Sequence, residues 1–396
     1  MKKSFYIACS LLLSMSVSAQ PFQIGHTTIS FTDTSRNGRS IPTEIYYPAD
    51  MAGNNVPVTT ANTDHFPLLS FGHGFVMSWD AYQNIRDAVV PEGFIIAFPT
   101  TEGSLSPSHS DFGKDITYII SAIAALSQDS TSIFFNRVDT MNCVMGHSMG
   151  GGAAFLGAEQ NTVVKTLVTL APAETNPSAI QAAAGLSIPS LIIAGGNDCV
   201  TPPPANQIPM YDSLQSSCKT FISINGGSHC QMADNNFFCN FGEATCTPAP
   251  AITRAQQHIT INSYLLPWLK YELKNDCIAG SLFDSLISVD TSIVFQKTCL
   301  LCNTTNISEF SDYIGINFHP NPFTGKIYLQ NNMQVNRSIS MSMYMTDGRK
   351  IFLLPTSVLK ANEQLEVDLK EELSPGIYLL EVISDGKRIV KKMVRE

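Results

Sequence analysis

Between Thr27 and Ser223, short apolar runs alternate with segments whose apolar residues recur at helical spacing. Several runs are continuously apolar, as in Leu191-Ile192-Ile193-Ala194, which is typical of strands covered on both faces. Strands alternating with helices predict an α/β fold with a doubly wound, mostly parallel sheet. The predicted strands are Thr43–Tyr47, Phe66–Phe71, Phe94–Phe98, Asn142–Met145, Lys165–Leu170, Ser190–Ala194 and Lys219–Ile224. The predicted helices are Asp80–Val90, Phe112–Leu126, Met149–Ala158, Asn206–Leu214 and a closing helix Thr253–Lys274, with a kink expected at Pro267.

The pattern changes after residue 277. Residues 278–312 contain many Ser, Thr and Asn and are interpreted as a linker, so the α/β domain is expected to span residues 20–277. From residue 313 to 396, short alternating segments between turn signals predict a small all-β sandwich. Its predicted strands are Lys326–Leu329, Ser338–Met345, Gln364–Leu369, Ile377–Ile383 and Arg388–Val394. The turn signals are Asn321-Pro322, Asp347-Gly348, Pro375-Gly376 and Asp385-Gly386.

The N-terminus has the organisation of a secretory signal peptide over residues 1–19. Lys2 and Lys3 supply positive charge, Phe5–Val17 is apolar but too short to span a bilayer, and Ser18 and Ala19 are small residues at the expected cleavage site. We therefore expect export, and we interpret the cysteines in an oxidising environment.

Charge and cysteine content narrow the choice of partners. The net charge of −9 argues against nucleic acid as the main partner. Cys143 lies on a predicted strand and is expected to be a buried free thiol. Eight further cysteines lie in the second half of the chain, and their pairing cannot be deduced from the sequence. Cys299 and Cys302 form a CxxC that also fits zinc, but no second CxxC or His pair accompanies it, so no metal is expected.

Gly146-His147-Ser148-Met149-Gly150 follows a predicted strand and precedes a predicted helix. A serine on such an abrupt turn has a cramped backbone, and the residues two before and two after it must be small. The turn lifts the hydroxyl above the sheet and directs the first amides of the helix toward the same space. Ser148 is therefore the candidate nucleophile.

A serine nucleophile needs a base, and the base needs an acid that orients it. Asp198 follows the strand at 190–194 through a glycine turn, and His229 follows the strand at 219–224 in the same way. All three residues are thus expected at the carboxyl edge of the sheet, in the order Ser, Asp, His. The competing acids Asp111 and Asp115 precede the nucleophile at the start of a helix, and His258 falls within the closing helix.

Two backbone amides are expected to stabilise the oxyanion. One is the amide of Met149, and the other is that of Phe75, in the glycine-containing loop Phe71-Gly72-His73-Gly74-Phe75. His73 precedes the donor and is interpreted as structural. His147, beside the nucleophile, is expected to form a wall of the cleft.

At these residues the chain resembles the secreted polyester hydrolases and cutinase-like esterases of the α/β-hydrolase superfamily, and more broadly dienelactone-hydrolase-like proteins. The resemblance runs from about Gly25 to Lys274, and Ser148 in place of cysteine favours the esterase branch. It implies a serine carboxylesterase that hydrolyses esters, including polyesters such as poly(ethylene terephthalate), without a cofactor. It also implies that the Phe75 ring and the Met149 side chain clamp the acyl group.

The chain departs from these families in one loop. Polyester hydrolases carry a tryptophan after the strand that follows the nucleophile helix, whereas this chain has Ala171-Pro172-Ala173-Glu174 there. The aromatic platform is therefore missing or replaced by Trp79, and weak activity on aromatic polyesters is expected. The resemblance also favours a disulfide near the acid and base, either Cys199–Cys230 or Cys199–Cys218.

The C-terminal domain resembles the type A sorting domain of the Bacteroidetes type IX secretion pathway. The resemblance is carried by His319-Pro320-Asn321-Pro322-Phe323, Gly376-Ile377-Tyr378 and Lys391-Lys392-Met393-Val394. It implies recognition by the secretion machinery and passage across the outer membrane, followed by release or attachment to the cell surface. An unrelated carbohydrate-binding sandwich is the alternative.

Three functions stay open at this level. The first is an esterase acting as a monomer on soluble or polymeric esters. The second is a lipase or a carbohydrate acetyl esterase, which would use the same catalytic residues on a different substrate. The third is a surface binding protein with a vestigial hydrolase fold.

Overall fold

The computed structural model describes residues 22–60, 65–302, 316–345, 350–369, 373, 376–384 and 387–395. The predicted signal peptide, most of the C-terminal turn signals and part of the predicted linker lie outside these residues. The described residues divide into two compact units, one within residues 22–302 and one within residues 316–395. Within the described residues, no helix is both long and apolar enough to cross a membrane.

The first unit is built on a sheet of ten strands, counted over its described residues. They are β1 Gln23–Asp33, β2 Arg39–Ala49, β3 Gly53–Asn54, β4 Phe66–Gly72, β5 Ile95–Pro99, β6 Val138–His147, β7 Thr166–Leu170, β8 Ser190–Gly195, β9 Lys219–Ile224 and β10 Ile293–Lys297. Their spatial order is β10-β9-β8-β7-β6-β4-β5-β2-β1-β3. Strands β4 to β9 pair in parallel, while β2 and β10 join the sheet antiparallel. The predicted α/β architecture is confirmed.

Helices cover both faces of this sheet. They are α1 Gln83–Val89, α2 His109–Leu126, α3 Met149–Glu159, α4 Ala179–Ala183, α5 Gln207–Ser213, α6 Phe237–Glu243, α7 Arg254–Lys274 and α8 Cys277–Val289. Helices α2 to α5 contribute buried side chains to one core, and α1, α7 and α8 contribute to the other. Burial on both faces explains the continuously apolar strands. Helix α7 begins with a capping box between Thr253 and Gln256 and continues through Pro267.

The segment interpreted as a linker is instead part of this unit over its described residues. Helix α8 packs Phe283 and Ile287 into the core beneath α7, and β10 pairs with β9 at the edge of the sheet. The strand escaped prediction because its burial is shallow: Val294 is 58% exposed, and only Ile293 is buried. The apolar face of α8 provides the energy that holds this segment on the unit.

The second unit is all-β over its described residues. Its strands are β11 Ile316–His319, β12 Lys326–Asn331, β13 Arg337–Met345, β14 Lys350–Leu359, β15 Gln364–Asp368, β16 Gly376–Ser384 and β17 Lys387–Arg395. They form the antiparallel sheets β11-β12-β15 and β14-β13-β16-β17. A separate core, which includes Phe318, Phe323 and Tyr378, packs within this unit. The predicted all-β domain is confirmed.

Candidate active site

Ser148 occupies the turn between β6 and α3. Its φ of 55° and ψ of −121° are a backbone conformation that a residue with a side chain rarely adopts. Its amide donates to the carbonyl of Leu170 at 3.0 Å, and its carbonyl accepts from Gly152 at 3.0 Å and from Ala173 at 2.9 Å. The strained turn is thus held by hydrogen bonds on both sides, as expected of a site where strain serves function.

The two glycines that flank the turn leave no room for a side chain. A Cβ atom at Gly146 would lie 2.3 Å from the carbonyl carbon of Gly150, and one at Gly150 would lie 2.2 Å from the carbonyl oxygen of Gly72. The turn therefore packs backbone against backbone, with the nucleophile strand and helix pressed onto the loop after β4. This close approach is the reason that the pentapeptide can be recognised in the sequence.

The structure brings the predicted nucleophile, base and acid together. Nε2 of His229 lies 2.9 Å from Oγ of Ser148, and Nδ1 of His229 lies 2.8 Å from Oδ2 of Asp198. A carboxylate only accepts hydrogen bonds, so Nδ1 carries the proton and Nε2 is free to accept from the serine hydroxyl. All three side chains are buried, and Ser148 is 8% exposed.

Asp198 is held by the turn that follows it. Its Oδ1 accepts the amides of Val200 at 2.9 Å and Thr201 at 2.8 Å, and its Oδ2 accepts the Thr201 hydroxyl at 2.9 Å. These bonds to a buried carboxylate fix the oxygen that faces His229. Thr201 was not singled out from the sequence, although a threonine three residues after an aspartate is a recognisable turn signal.

The expected oxyanion donors lie at the start of α3 and in the loop after β4. Met149 is the first residue of α3 and is 3% exposed, whereas the side chain of Phe75 is 46% exposed. His73 is buried in the same loop, with ring nitrogens 2.9 Å from the carbonyls of Gly74 and Thr101. Burial lowers the pKa of His73. Its ring therefore supports the loop.

His147 differs from the expectation that it lines the cleft. Its ring is fully buried and lies beneath His229, with the two ring centroids 4.7 Å apart. Nε2 of His147 is 3.2 Å from the carbonyl of His229, so this nitrogen carries the proton and donates. Burial, and next the neighbouring His229, lower the pKa of His147 well below its ordinary value, so the ring is neutral. The predicted strand ended at Met145, whereas β6 continues through His147, so the ring shares the burial of the strand rather than lining the cleft.

A buried tyrosine connects His147 to the loop that contains Phe75. Nδ1 of His147 has no proton and lies 3.0 Å from Oη of Tyr82, which donates to it. Oη of Tyr82 also accepts the amide of Gly74 at 2.8 Å. The chain Gly74–Tyr82–His147–His229 therefore joins the candidate oxyanion loop to the candidate base through groups that are all buried.

Trp79, the expected replacement for the missing indole, packs on the N-terminal strands. Its ring centroid is 5.9 Å from that of Tyr46 and 6.3 Å from that of His26. In the loop that lacks tryptophan, the carbonyl of Ala173 lies 2.2 Å from where a Cβ atom of Gly152 would sit, so this loop rests directly on α3. A substrate role for Trp79 stays a prediction.

The disulfide pairing differs from both expected options. The bridges are Cys199–Cys246, Cys218–Cys299, Cys230–Cys239 and Cys277–Cys302. Cys199 and Cys230 do follow the acid and the base, but each pairs with a cysteine in or next to α6 rather than with the other. The buried free thiol of Cys143 is confirmed. Among the described residues, no cluster of three or more His, Cys, Asp or Glu side chains could hold a metal ion.

Comparison with known proteins agrees with this architecture. Residues 12–245, more than half of the chain, match the PET hydrolase-like family, and residues 317–396 match the secretion system C-terminal sorting domain. The second match indicates export to the cell surface or beyond. It agrees with the resemblance identified at the C-terminus.

Curated relatives include cutinases and a terephthalate ester hydrolase. Cutinase est1 of Thermobifida alba is 25% identical over 234 residues, which cover 59% of this chain and 65% of that protein. The bis(hydroxyethyl) terephthalate hydrolase of Streptomyces coelicolor is 21% identical over 257 residues, 65% of this chain and 69% of that protein. The alignments to est1 and to Cutinase est2 of the same organism, at 65% and 64%, span less than two thirds of those relatives. The family match covers Ser148, Asp198 and His229, and the chain belongs to the PET hydrolase-like family.

Proposed function

We propose that this chain is an exported serine carboxylesterase that works through Ser148, His229 and Asp198. The observation that carries the proposal is the unbroken line of hydrogen bonds from Asp198 through His229 to the strained Ser148. A non-catalytic descendant of the fold has no need to retain a strained nucleophile turn together with a buried, oriented base. Membership of a family described as PET hydrolase-like supports the same reaction class.

The proposed reaction proceeds in two halves. Oγ of Ser148 attacks the ester carbonyl while Nε2 of His229 takes the hydroxyl proton, and Asp198 stabilises the imidazolium. Collapse of the tetrahedral intermediate breaks the ester C–O bond, and His229 returns the proton to the departing alcohol. Water, deprotonated by His229, then attacks the acyl-serine. The bond between the acyl carbon and Oγ breaks, His229 returns the proton to Oγ of Ser148, and the acid is released.

The developing oxyanion is assigned to the amides of Met149 and Phe75. Met149 begins α3, so its amide lies at the helix terminus that favours negative charge. The glycine before Phe75 is anchored by Tyr82, which fixes the height of the loop over the nucleophile. Removal of one such donor typically costs about 10²- to 10³-fold in kcat.

For the substrate we propose an apolar, water-insoluble ester such as a polyester. Phe75, whose amide is a candidate oxyanion donor, is 46% exposed. Helix α6 exposes three further aromatic residues, Phe237, Phe238 and Phe241, at 76%, 59% and 75%. A disulfide joins α6 to the loop after His229, and a second disulfide joins the residues just after α6 to the loop after Asp198. Because the usual tryptophan is absent, product release from an aliphatic polyester film should exceed release from a poly(ethylene terephthalate) film. The reverse order would contradict this assignment.

Replacement of the nucleophile tests the reaction class. Ser148→Ala should lower kcat for a soluble p-nitrophenyl ester by at least about 10³-fold, because no other group supplies the attacking oxygen. Ser190→Ala is the matched control, since Ser190 is also buried but its hydroxyl donates to the carbonyl of Ile188. Parental hydrolysis by Ser148→Ala, or no hydrolysis by the parent, would refute the proposed function.

A further inference from the structure

The segment Ser228–Cys230 carries the candidate base, and side chains from other elements bond to its backbone throughout. Oε1 of Gln257 accepts the amide of Ser228 at 2.9 Å, and Nε2 of Gln257 donates to the same residue's carbonyl at 2.8 Å. His147 donates to the carbonyl of His229, and Arg254 donates to the carbonyl of Cys230. The amides of His229 and Cys230 are the remaining backbone groups of this segment.

Both of these amides donate to one carboxylate, that of Glu243. Oε1 of Glu243 lies 2.7 Å from the amide nitrogen of His229 and 3.2 Å from that of Cys230. Its other oxygen accepts the hydroxyl of Ser228 at 3.1 Å. An ionised acceptor bonds backbone amides more strongly than a neutral one, so this single side chain restrains three consecutive residues around the base.

Glu243 is the last residue of α6, a helix with few contacts to the rest of the unit, one of which is the bond from Arg254 to Oδ1 of Asn240 at 3.0 Å. This helix has seven residues and buries none of them, so neither its length nor its packing stabilises it. Its position is fixed by covalent links, because Cys239 within α6 pairs with Cys230, and Cys246 just after α6 pairs with Cys199. The two partner cysteines directly follow His229 and Asp198. Helix α6 and the residues just after it are thus linked by disulfides to the loops after Asp198 and His229, and the carboxylate of Glu243 accepts hydrogen bonds from the backbone of the candidate base.

We propose that Glu243 is a positioning residue that keeps His229 aligned with Ser148. The proposal rests on the proposed function, since it names the group that holds the base of that reaction. During turnover Nε2 of His229 takes up a proton and then gives it away, once in each half of the reaction. The ring must therefore stay within hydrogen-bond distance of Ser148, the leaving group and water in turn. A restraint on the backbone of His229 maintains that alignment without contact with the substrate.

The test compares Glu243→Ala with Glu243→Gln in the full-length, oxidised protein, with a soluble p-nitrophenyl ester. Glu243→Ala should lower kcat about 10- to 100-fold with little change in KM, because small displacements of a catalytic group cost rates of this size. Glu243→Gln should recover most of the kcat, since its amide oxygen accepts the two backbone amides and its NH₂ group donates to the hydroxyl of Ser228.

Asp276→Ala is the matched control for loss of stability. Asp276 is also a carboxylate that accepts two backbone amides, those of Ile278 at 3.0 Å and Ala279 at 3.1 Å, but it caps α8 and contacts no member of the triad. The kcat of Asp276→Ala should stay within about twofold of the parental value. This change is much smaller than the 10- to 100-fold loss expected of a displaced catalytic group. If Glu243→Ala gives no soluble protein, Glu243→Asp replaces it, because this variant keeps the charge and withdraws the carboxylate by one methylene group.

The outcomes separate the two proposals. A parental kcat in Glu243→Ala or in its substitute, an equal loss in Asp276→Ala, or a failure of Glu243→Gln to recover activity would overturn the positioning role. Each of these leaves the proposed function intact as long as the parent hydrolyses the ester and Ser148→Ala does not. An inactive parent would instead refute the proposed function.

Discussion

The loop of Ser148, the proposed nucleophile, and the loop of His229, the proposed base, bond directly to each other, yet their backbones are fixed in opposite ways. Around Ser148, the backbone is fixed by close contact with other backbone, because glycines at 146 and 150 leave no space for a side chain. Around His229, the backbone is fixed by the side chains of Gln257, Glu243, His147 and Arg254, which come from distant parts of the chain.

This difference teaches what a local sequence motif can encode. A turn that is fixed by steric exclusion requires small residues at particular neighbouring positions, so its pentapeptide predicts its conformation. A turn held by remote side chains places few demands on its own sequence. Activity should therefore be lost when atoms are added to the Ser148 loop. It should also be lost when the side chains that bond to the backbone of the His229 loop are removed.

The largest loss of activity is expected from an added methyl group in the loop that carries Ser148. Gly150→Ala places a Cβ atom 2.2 Å from the carbonyl oxygen of Gly72, and neither backbone can yield. We expect either no soluble protein or a loss of at least about 10³-fold in kcat/KM, the size expected when the nucleophile and oxyanion geometry is lost. Gly103→Ala is the control, because a Cβ atom there meets nothing within 4 Å. Parental activity in Gly150→Ala would show that the loop is not sterically fixed.

The next largest loss of activity is expected from removal of the disulfide that links the base loop to α6. Loss of the Cys230–Cys239 bridge, by Cys230→Ser with Cys239→Ser, removes the link between α6 and the loop of His229, leaves Cys199–Cys246 intact, and so loosens the position of Glu243. The free energy of unfolding should fall by about 2.5 kcal/mol, and kcat should fall about 10- to 100-fold. Adding Glu243→Ala to this pair should lower kcat little further, because both changes remove the same restraint.

A second bridge provides the control for that experiment. Cys277–Cys302 closes a longer loop, with a sequence separation of 25 against 9, and neither cysteine lies in the loop after Asp198 or the loop after His229. Its removal should cost more stability, about 3.5 kcal/mol, because longer loops gain more from a cross-link. The kcat of the variant that lacks this bridge should nevertheless stay near the parental value. Equal losses of kcat in the two disulfide variants would mean that stability alone explains the effect.

The smallest loss of activity is expected at Tyr82, which links the loop after β4 to His147 beside Ser148. Tyr82→Phe removes the hydroxyl between the amide of Gly74 and Nδ1 of His147, and leaves both groups buried without this partner. We expect a stability loss of about 2 kcal/mol and a loss of about 5- to 10-fold in kcat, below the 10²-fold typical of a lost oxyanion donor. Tyr264→Phe is the control, since Tyr264 is equally buried but donates to Asp290. Urea unfolding and ester kinetics on both variants would check this.

The sequence was informative wherever neighbouring residues determine the structure. The parallel core strands, the helix capped by Thr253 and the turn at Ser148 follow from local periodicity, capping and sterics. The alignment of Asp198 and His229 beside Ser148 follows from one further rule, that parallel strands end at the same edge of the sheet.

What could not be predicted depends on contacts between distant residues. Strand β10 is exposed and short, so only its pairing with β9 identifies it. The disulfide partners of Cys199 and Cys230 depend on where α6 folds back, and α6 has no buried residue to mark its position. The contact of Glu243 with the amide of His229 joins residues 14 positions apart and has no local signal.

Labelling of the oxidised full-length protein with a fluorophosphonate, followed by peptide mapping, tests the central claim most directly. The reagent reacts only with a serine whose hydroxyl is activated by an aligned base. We expect a single adduct on Ser148, formed at least about 10-fold more slowly in Glu243→Ala, in keeping with the sensitivity of catalysis to small misalignments. Absence of an adduct, or an adduct on another residue, would contradict the account.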